Sequence, residues 1–262
     1  MFLACTLQVR ALIVTSVNMD LALSTTQMRY MGYIRLAEYL LETAILQDVG
    51  FKRHAIALQL YLEAGAIIQA AHDMIPKQNK VQRDLLTSKK EDAYRRADHV
   101  KLVYLNHITI LEEIRIPEGS TGHDFDSVFG KCIDDKLKSV IIDDPYAIFS
   151  QYQINNFIRF CELLVRRGPK LQRVILRTGT RSRPHMVADL TSAMYKNHRV
   201  MLTIIVVKEL HDREMRFSNG WVVKLGRGLD YFKPPSAKNT LGMFDFWLRP
   251  CRECNVEIYK LA

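Results

Sequence analysis

Residues 211–233 read HDREMRFSNGWVVKLGRGLDYFK, and no other stretch of the chain packs charged, aromatic and glycine positions so densely. The stretch follows an apolar run at 200–207 with the length and β-branched content of a buried strand. Strand ends are where α/β proteins place side chains that face a ligand, which makes His211 a candidate. A short β pattern follows at 221–225. Gly226 and Gly228 bracket Arg227, so the backbone can turn tightly and present that guanidinium, while Pro234 and Pro235 block continuation into helix. The plainer reading of every position here is a strand, a glycine turn and solvated charge.

Working outward, 125–137 reads as a helix and 139–142 as a short buried strand. A longer helix spans 151–167, with Ile154, Phe157, Ile158, Cys161 and Leu164 on its inner face. A strand follows at 171–176 and a helix at 184–197, and further strands are expected at 244–248 and 256–259. Strands alternating with helices predict an α/β domain over 123–262. Trp221, Phe232 and Trp247 are expected to be buried in its core.

Towards the N-terminus the period changes to 3.6. Ile34, Ala37, Leu41 and Ala44 define one helix over 31–47, and Ala55, Leu58, Leu62, Gly65 and Ile68 a second that Pro76 stops. Leu86, Ala93, Ala97, Val100 and Tyr104 define a third over 81–107. The expectation is an all-α three-helix bundle over 29–108, preceded by a weakly ordered extension (1–28) and followed by a linker (109–122) rich in helix breakers. The apolar start of the chain resembles a poor signal peptide and is too short to span a bilayer.

The chain carries 37 basic and 28 acidic residues, a net charge of +9. Residues 1–117 hold 14 basic and 12 acidic groups, while residues 118–262 hold 23 and 16. The surplus therefore sits in the α/β part and implies an anionic partner. Five irregularly spaced cysteines make no disulfide framework, and Cys251 with Cys254 is a lone pair of metal-ligand spacing. His54, His72, His99 and His107 have no ligand partners at metal spacing, so no metal or cofactor is expected. No Gly-x-Ser-x-Gly elbow and no phosphate-binding Gly-Lys-Ser/Thr loop occurs. Asp143, Asp144 and His211 are the acid/base candidates, each at the end of an expected strand.

Ala44 with Asp48, then Ala55, Leu58, Tyr61 and Ala64, then Tyr94-Arg95-Arg96-Ala97-Asp98, resemble the MIT (microtubule-interacting and trafficking) domain. That resemblance implies a groove between the second and third helices that takes C-terminal tail helices of ESCRT-III subunits, with Tyr94, Ala97, Asp98 and Lys101 as peptide-binding positions. Asp98 would meet a basic ligand residue. Tyr94 stands where the family has an aliphatic residue, and Asp98 where it has Glu.

The blocks 143–146 (DDPY), 156–164 (NFIRFCELL), 211–233 and 248–251 (LRPC) resemble the C-terminal, phospholipase-D-like domain of MIT-domain-containing cytokinesis proteins. Phospholipase D enzymes pair two His-x-Lys-x4-Asp motifs. This chain has one candidate copy, with Arg213 in place of Lys and Ser218 in place of Asp, so His211 and Arg213 are residual catalytic candidates and turnover is not expected. The resemblance implies a homodimer, peripheral on phosphoinositide-bearing membrane, cytoplasmic and at the midbody during abscission; nucleic-acid binding by the basic domain is a third class, and with no recognised reader motif no nucleic-acid partner is expected. Lys224, Arg227, Lys233, Lys238, Arg249 and Arg252 are the lipid-binding candidates. The alternative is a phosphodiesterase assembled across the dimer.

Overall fold

The computed structural model describes residues 25–104, 110–179, 184–235, 237 and 240–261. Three N-terminal helices pack side by side: α1 (Thr25–Ile45), α2 (His54–Asp73) and α3 (Lys80–Tyr104). Helix α1 begins six residues earlier than the apolar spacing suggests and runs on at its other end into a π-helical turn, Leu46–Gly50. The middle position belongs to α2, whose Ala57, Ala64, Gly65, Ala66 and Ala71 let both neighbours approach closely. Ile34, Ala37 and Leu40 of α1 meet Ala64, Ile67 and Ile68 of α2 and Leu86 of α3 in one core cluster. Ala44, Leu58, Tyr61, Ala97 and Val100 form a second.

A buried acid ties the three helices together. Asp48, 3% exposed, accepts hydrogen bonds from Arg96 Nε (2.7 Å) and Tyr61 OH (3.3 Å) and lies 3.2 Å from His54 Nδ1. Buried charge needs this many partners to offset its lost hydration. Burial pushes the Tyr61 hydroxyl up to about 12.

A seven-stranded mixed sheet follows, in the order β1-β7-β6-β5-β2-β3-β4. Its strands are β1 (Ile110–Ile116), β2 (Ser139–Asp143), β3 (Arg173–Thr178), β4 (Met201–Val206), β5 (Glu214–Phe217), β6 (Trp221–Leu225) and β7 (Cys254–Lys260). The parallel trio β2-β3-β4 is joined by crossover helices α5 (Gln151–Arg167) and α6 (Ala188–His198), and every other pairing is antiparallel. Alternation along each strand divides the sheet into two unlike faces. Val140, Ile142, Val174, Leu176, Met215, Phe217, Val223, Val256 and Ile258 join the main core, with Phe157, Phe160 and Leu164 of α5 and with the short helix α4 (Phe125–Phe129). Phe125 sits edge-on to Phe160 and Tyr231 there, at 5.5 and 5.7 Å.

The opposite face carries Ser139, Asp143, Arg173, Arg177, Glu214 and Arg216 around a small apolar patch, and α2 docks on it. Ala66 packs against Ile141, Ile175 and Ile205. Beside this patch, fully buried Glu63 accepts Arg173 Nε (3.0 Å) and Nη2 (2.8 Å), Gln59 Nε2 (3.1 Å) and the Ser139 hydroxyl. The helical bundle and the sheet are therefore joined through a desolvated ion pair.

Several expectations change. The linker expected over 109–122 contains β1, which pairs with β7; Ile114 and Ile116 alternate with Glu113 and Arg115, as a half-buried edge strand requires. The helix expected over 125–137 is only α4 followed by a 3-10 turn, Gly130–Cys132. The expected strand at 244–248 is a loop with a 3-10 turn, Phe246–Leu248, because Asp245 caps the Trp247 N–H at 3.0 Å. Strand β5 lies inside the charged stretch that opened the sequence reading. The expected extension, 1–28, falls outside the described residues up to position 24 and is helical from 25.

Candidate functional site

The glycine turn is held by an acid. Asp144, 1% exposed, accepts the Tyr146 N–H and the Leu229 N–H, both at 2.9 Å. Gly228 has φ +59° and lies so close to the Asp144 carboxylate that a Cβ there would overlap it. Arg213 donates to the Gly226 carbonyl and stacks 5.3 Å over the Tyr146 ring. Burial pushes the Asp144 carboxyl up, against the two N–H donors and Arg213.

Asp143 points to the other face of the sheet, as the strand period requires. Its carboxylate is 3.3 Å from Arg177 Nη1, and burial pushes it up to about 6 against the pull of Arg177 and Arg216. The two neighbouring acids therefore serve different sides of the molecule. His211 is exposed on the loop entering β5. Ser218, in the position of the motif's acid, lies beyond the far end of β5, where its Oγ accepts the Lys138 and Ser139 N–H groups at 2.9 and 3.0 Å. A four-residue strand spans about 13 Å, so the His211, Arg213 and Ser218 side chains do not converge on one phosphate.

The cations expected at lipid have different fates. Arg249 is 4% exposed and corrects the expectation: its Nε and Nη2 donate to the Gly242 (2.6 Å) and Met243 (2.5 Å) carbonyls, and it stacks 3.9 Å from the Phe246 ring centroid. Arg252 is half-buried and paired with Asp230 at 3.2 Å. Lys224 lies 3.9 Å from Glu214 on the face of the sheet where α2 docks. Arg227 is exposed at the glycine turn, bonded to the Glu253 carbonyl at 2.9 Å, and Lys233 meets Glu118 at 2.7 Å. Lys238 lies outside the described residues.

The loop that Arg249 braces was not anticipated. Leu241 is 82% exposed, Phe244 86% and Trp247 51%, with Leu248 also exposed. Trp247 thus departs from the expected core position, whereas Phe232 is buried and Trp221 packs partly against the core. Arg249 sits beneath the loop and fixes its backbone by two charge-assisted bonds, so the apolar side chains stand outward instead of folding in. Lys233 approaches Gly119, in the turn that also bonds the loop through Gly122 N and Trp247 O (2.8 Å).

On the bundle, the four groove candidates separate too. Asp98 and Lys101 are exposed. Ala97 is 1% exposed within the bundle core, which corrects its assignment as a ligand contact. Tyr94 lies between α2 and the sheet: a Cβ on Gly65 would come within 2.7 Å of its ring, and Arg177 of β3 lies 5.8 Å over the ring. Cys251 and Cys254 are buried free thiols, with burial pushing Cys251 up to about 11. Among the described residues no helix is long and apolar enough to cross a membrane.

A family profile for a phospholipase D-like domain at the C-terminus of MIT matches residues 122–260. The mouse (Mus musculus) protein MIT domain-containing protein 1 is 38% identical over 154 residues. That match covers 56% of this chain and 61% of the mouse protein. A solved structure of TrmBL2, an archaeal chromatin protein described for its mode of DNA binding, overlaps 70% of this chain and 58% of its own at 11% identity. Its TM-score of 0.29 carries no argument.

Proposed function

The chain belongs to the family with a phospholipase D-like domain at the C-terminus of MIT, and from that premise we propose that it is a non-enzymatic adaptor between ESCRT-III and acidic membrane, acting in cytokinetic abscission. The observation that carries the membrane half is the 241–248 loop, with Leu241, Phe244 and Trp247 held outward on the Arg249 brace. Singly exposed apolar residues are ordinary, but an aromatic and aliphatic cluster on a braced loop of a basic domain suits insertion among lipid headgroups. Lysines and arginines on the same domain, the exposed Arg227 and the partly buried Lys233 among them, add attraction of up to about 1 kcal/mol each near an anionic leaflet.

Support for a role without turnover comes from the strand-end geometry. Arg213 is committed to Gly226 and Tyr146, Asp144 to the glycine turn, and Ser218 to backbone beyond β5. The homodimer, the peptide groove with Asp98 and Lys101 at its exposed end, and the placement in the cytoplasm and at the midbody belong to the same reading.

Flotation of the full chain with vesicles containing phosphoinositide tests it. Leu241→Ser with Phe244→Ser should abolish flotation while the thermal midpoint stays unchanged, since both side chains are in solvent. Flotation that persists in this variant refutes the loop's role. A change from dimer to monomer in light scattering, with flotation intact, would assign the loop to self-association instead.

A further inference from the structure

The two edges of the sheet are unlike. Strand β1 is guarded against further pairing: its register shifts between Ile110 and Glu112, Glu112, Glu113 and Arg115 carry charge, and Pro117 follows it. Strand β4, at the other edge, has none of these features. Residues Val200 to Val207 include no charged residue, no proline and no glycine. Uncharged edge strands rich in β-branched residues are ready templates for one more strand.

The parallel ladder shows which backbone groups of β4 stay free. Met201 N–H donates to the Gln172 carbonyl and Val207 N–H to the Thr178 carbonyl, so the odd-numbered residues turn their polar groups towards β3. Leu202, Ile204 and Val206 therefore turn theirs away from the sheet. Among the described residues no backbone group pairs with that side of β4. Leu202 is buried, but Ile204 is partly exposed and Val206 is 42% exposed. Helix α6, which packs on β4, also leaves Tyr195 57% exposed.

We propose that β4 pairs antiparallel with β4 of a second copy of this chain, about a two-fold axis at Ile204, and so joins the two sheets edge to edge. The inference rests on the homodimer of the adaptor reading and names its surface. In this register Leu202 stands opposite Val206 of the partner subunit, and Ile204 opposite Ile204 of the partner subunit. All three pairs use the outward-facing groups, and at two bonds for each such pair they make about six backbone hydrogen bonds. Ile204 then meets its own copy side chain to side chain, a favourable β-branched pair.

Charge selects the same partner. Arg199 lies just before β4 and Glu209 just after it, both exposed, and neither has an ion-pair partner among the described residues. An antiparallel copy centred on Ile204 brings Arg199 of each chain to the end where Glu209 of the partner subunit lies. The pairing thus closes with one opposite-charge contact at each end, as a self-complementary two-fold interface requires.

Gel filtration with light scattering on the full chain, over a range of micromolar concentrations, tests the pairing. Arg199→Glu and Glu209→Arg should each raise the dimer dissociation constant about tenfold, because each turns two attractive contacts into repulsive ones. The double variant should restore it. Within one chain the two positions are separated by the whole of β4, about 20 Å of strand, so the rescue has to act between copies. Both side chains are exposed, so folding is preserved. Ile204→Cys should cross-link as a dimer on mild oxidation, since opposed residues of this kind stand about 5.5 Å apart, within disulfide reach. Glu113→Cys, on the guarded edge, should not. A dimer indifferent to the charge variants, losses that the double variant does not repair, or no cross-link at position 204 would each overturn the pairing and leave the homodimer standing. A chain that is monomeric at every concentration would overturn both.

Discussion

Replacing Arg173 by Ala probes whether the bundle and the sheet form one packed unit. Glu63 is fully buried and Arg173 only 12% exposed. Arg173 supplies two of the four side-chain hydrogen bonds that reach the Glu63 carboxylate. Removing one partner of such a buried pair costs about 3–5 kcal/mol, because the remaining charge stays desolvated. An exposed pair would cost about 0–1 kcal/mol. Arg173→Ala should therefore destabilise the chain by about 3 kcal/mol unless the bundle lifts and rehydrates Glu63. Lifting would expose Ala66, Ile141, Ile175 and Ile205 in its place. The assay is urea denaturation combined with hydrogen exchange of α2, β2 and β3. Glu63→Gln with Arg173→Met should recover most of the loss, since it leaves no buried charge. A loss below about 1 kcal/mol, with exchange in α2, β2 and β3 unchanged, would refute a desolvated pair.

Three other outcomes follow from the geometry. Asp143 is held up to about 6 by burial, above its unfolded value of 3.8, so its contribution to stability is complete at low pH and is lost as pH rises through that window. Relative to Asp143→Asn, the native chain should lose stability by up to about 3 kcal/mol between pH 4 and 7, at about 1.4 kcal/mol per unit; parallel thermal midpoints across pH would contradict this. Gly228→Ala meets both the φ of +59° and the Asp144 carboxylate, and should cost about 2 kcal/mol or more by thermal denaturation. Arg249→Leu removes two bonds to the 241–248 loop and should lower both the thermal midpoint and vesicle flotation, although Arg249 is buried. A lowered midpoint with full flotation would show that the brace does not present the loop.

Much of the architecture was legible because periodicity reports burial. The run at 200–207 and the Ile154–Leu164 stripe announced β4 and α5, and the spacing of Ala55, Leu58, Leu62, Gly65 and Ile68 announced α2. Strand β5 escaped because Glu214 and Arg216 alternate with Met215 and Phe217 for only four residues, and both charged residues face the polar side of the sheet. Strand β1 resembled a linker because Pro117 and Gly119 follow it at once. The functional positions were harder to read. Sequence spacing identified Arg249 as a cation but could not reveal that two backbone carbonyls enclose it. Phe244 to Leu248 has strand-like composition, and only the Gly242 turn, at φ +79°, and the Asp245 cap convert it into an outward loop. For Tyr94, the resemblance implied a groove position but not the sheet that covers the ring.

That covered tyrosine sets a thermodynamic condition on the tail binding proposed above. A tail helix seated on Tyr94 and the strands now over it would compete for the same ring, so each 1.4 kcal/mol favouring the closed arrangement weakens the tail tenfold. Reciprocity makes the tail itself the agent of opening: once seated, it would bare Ile141, Ile175 and Ile205 by the same factor.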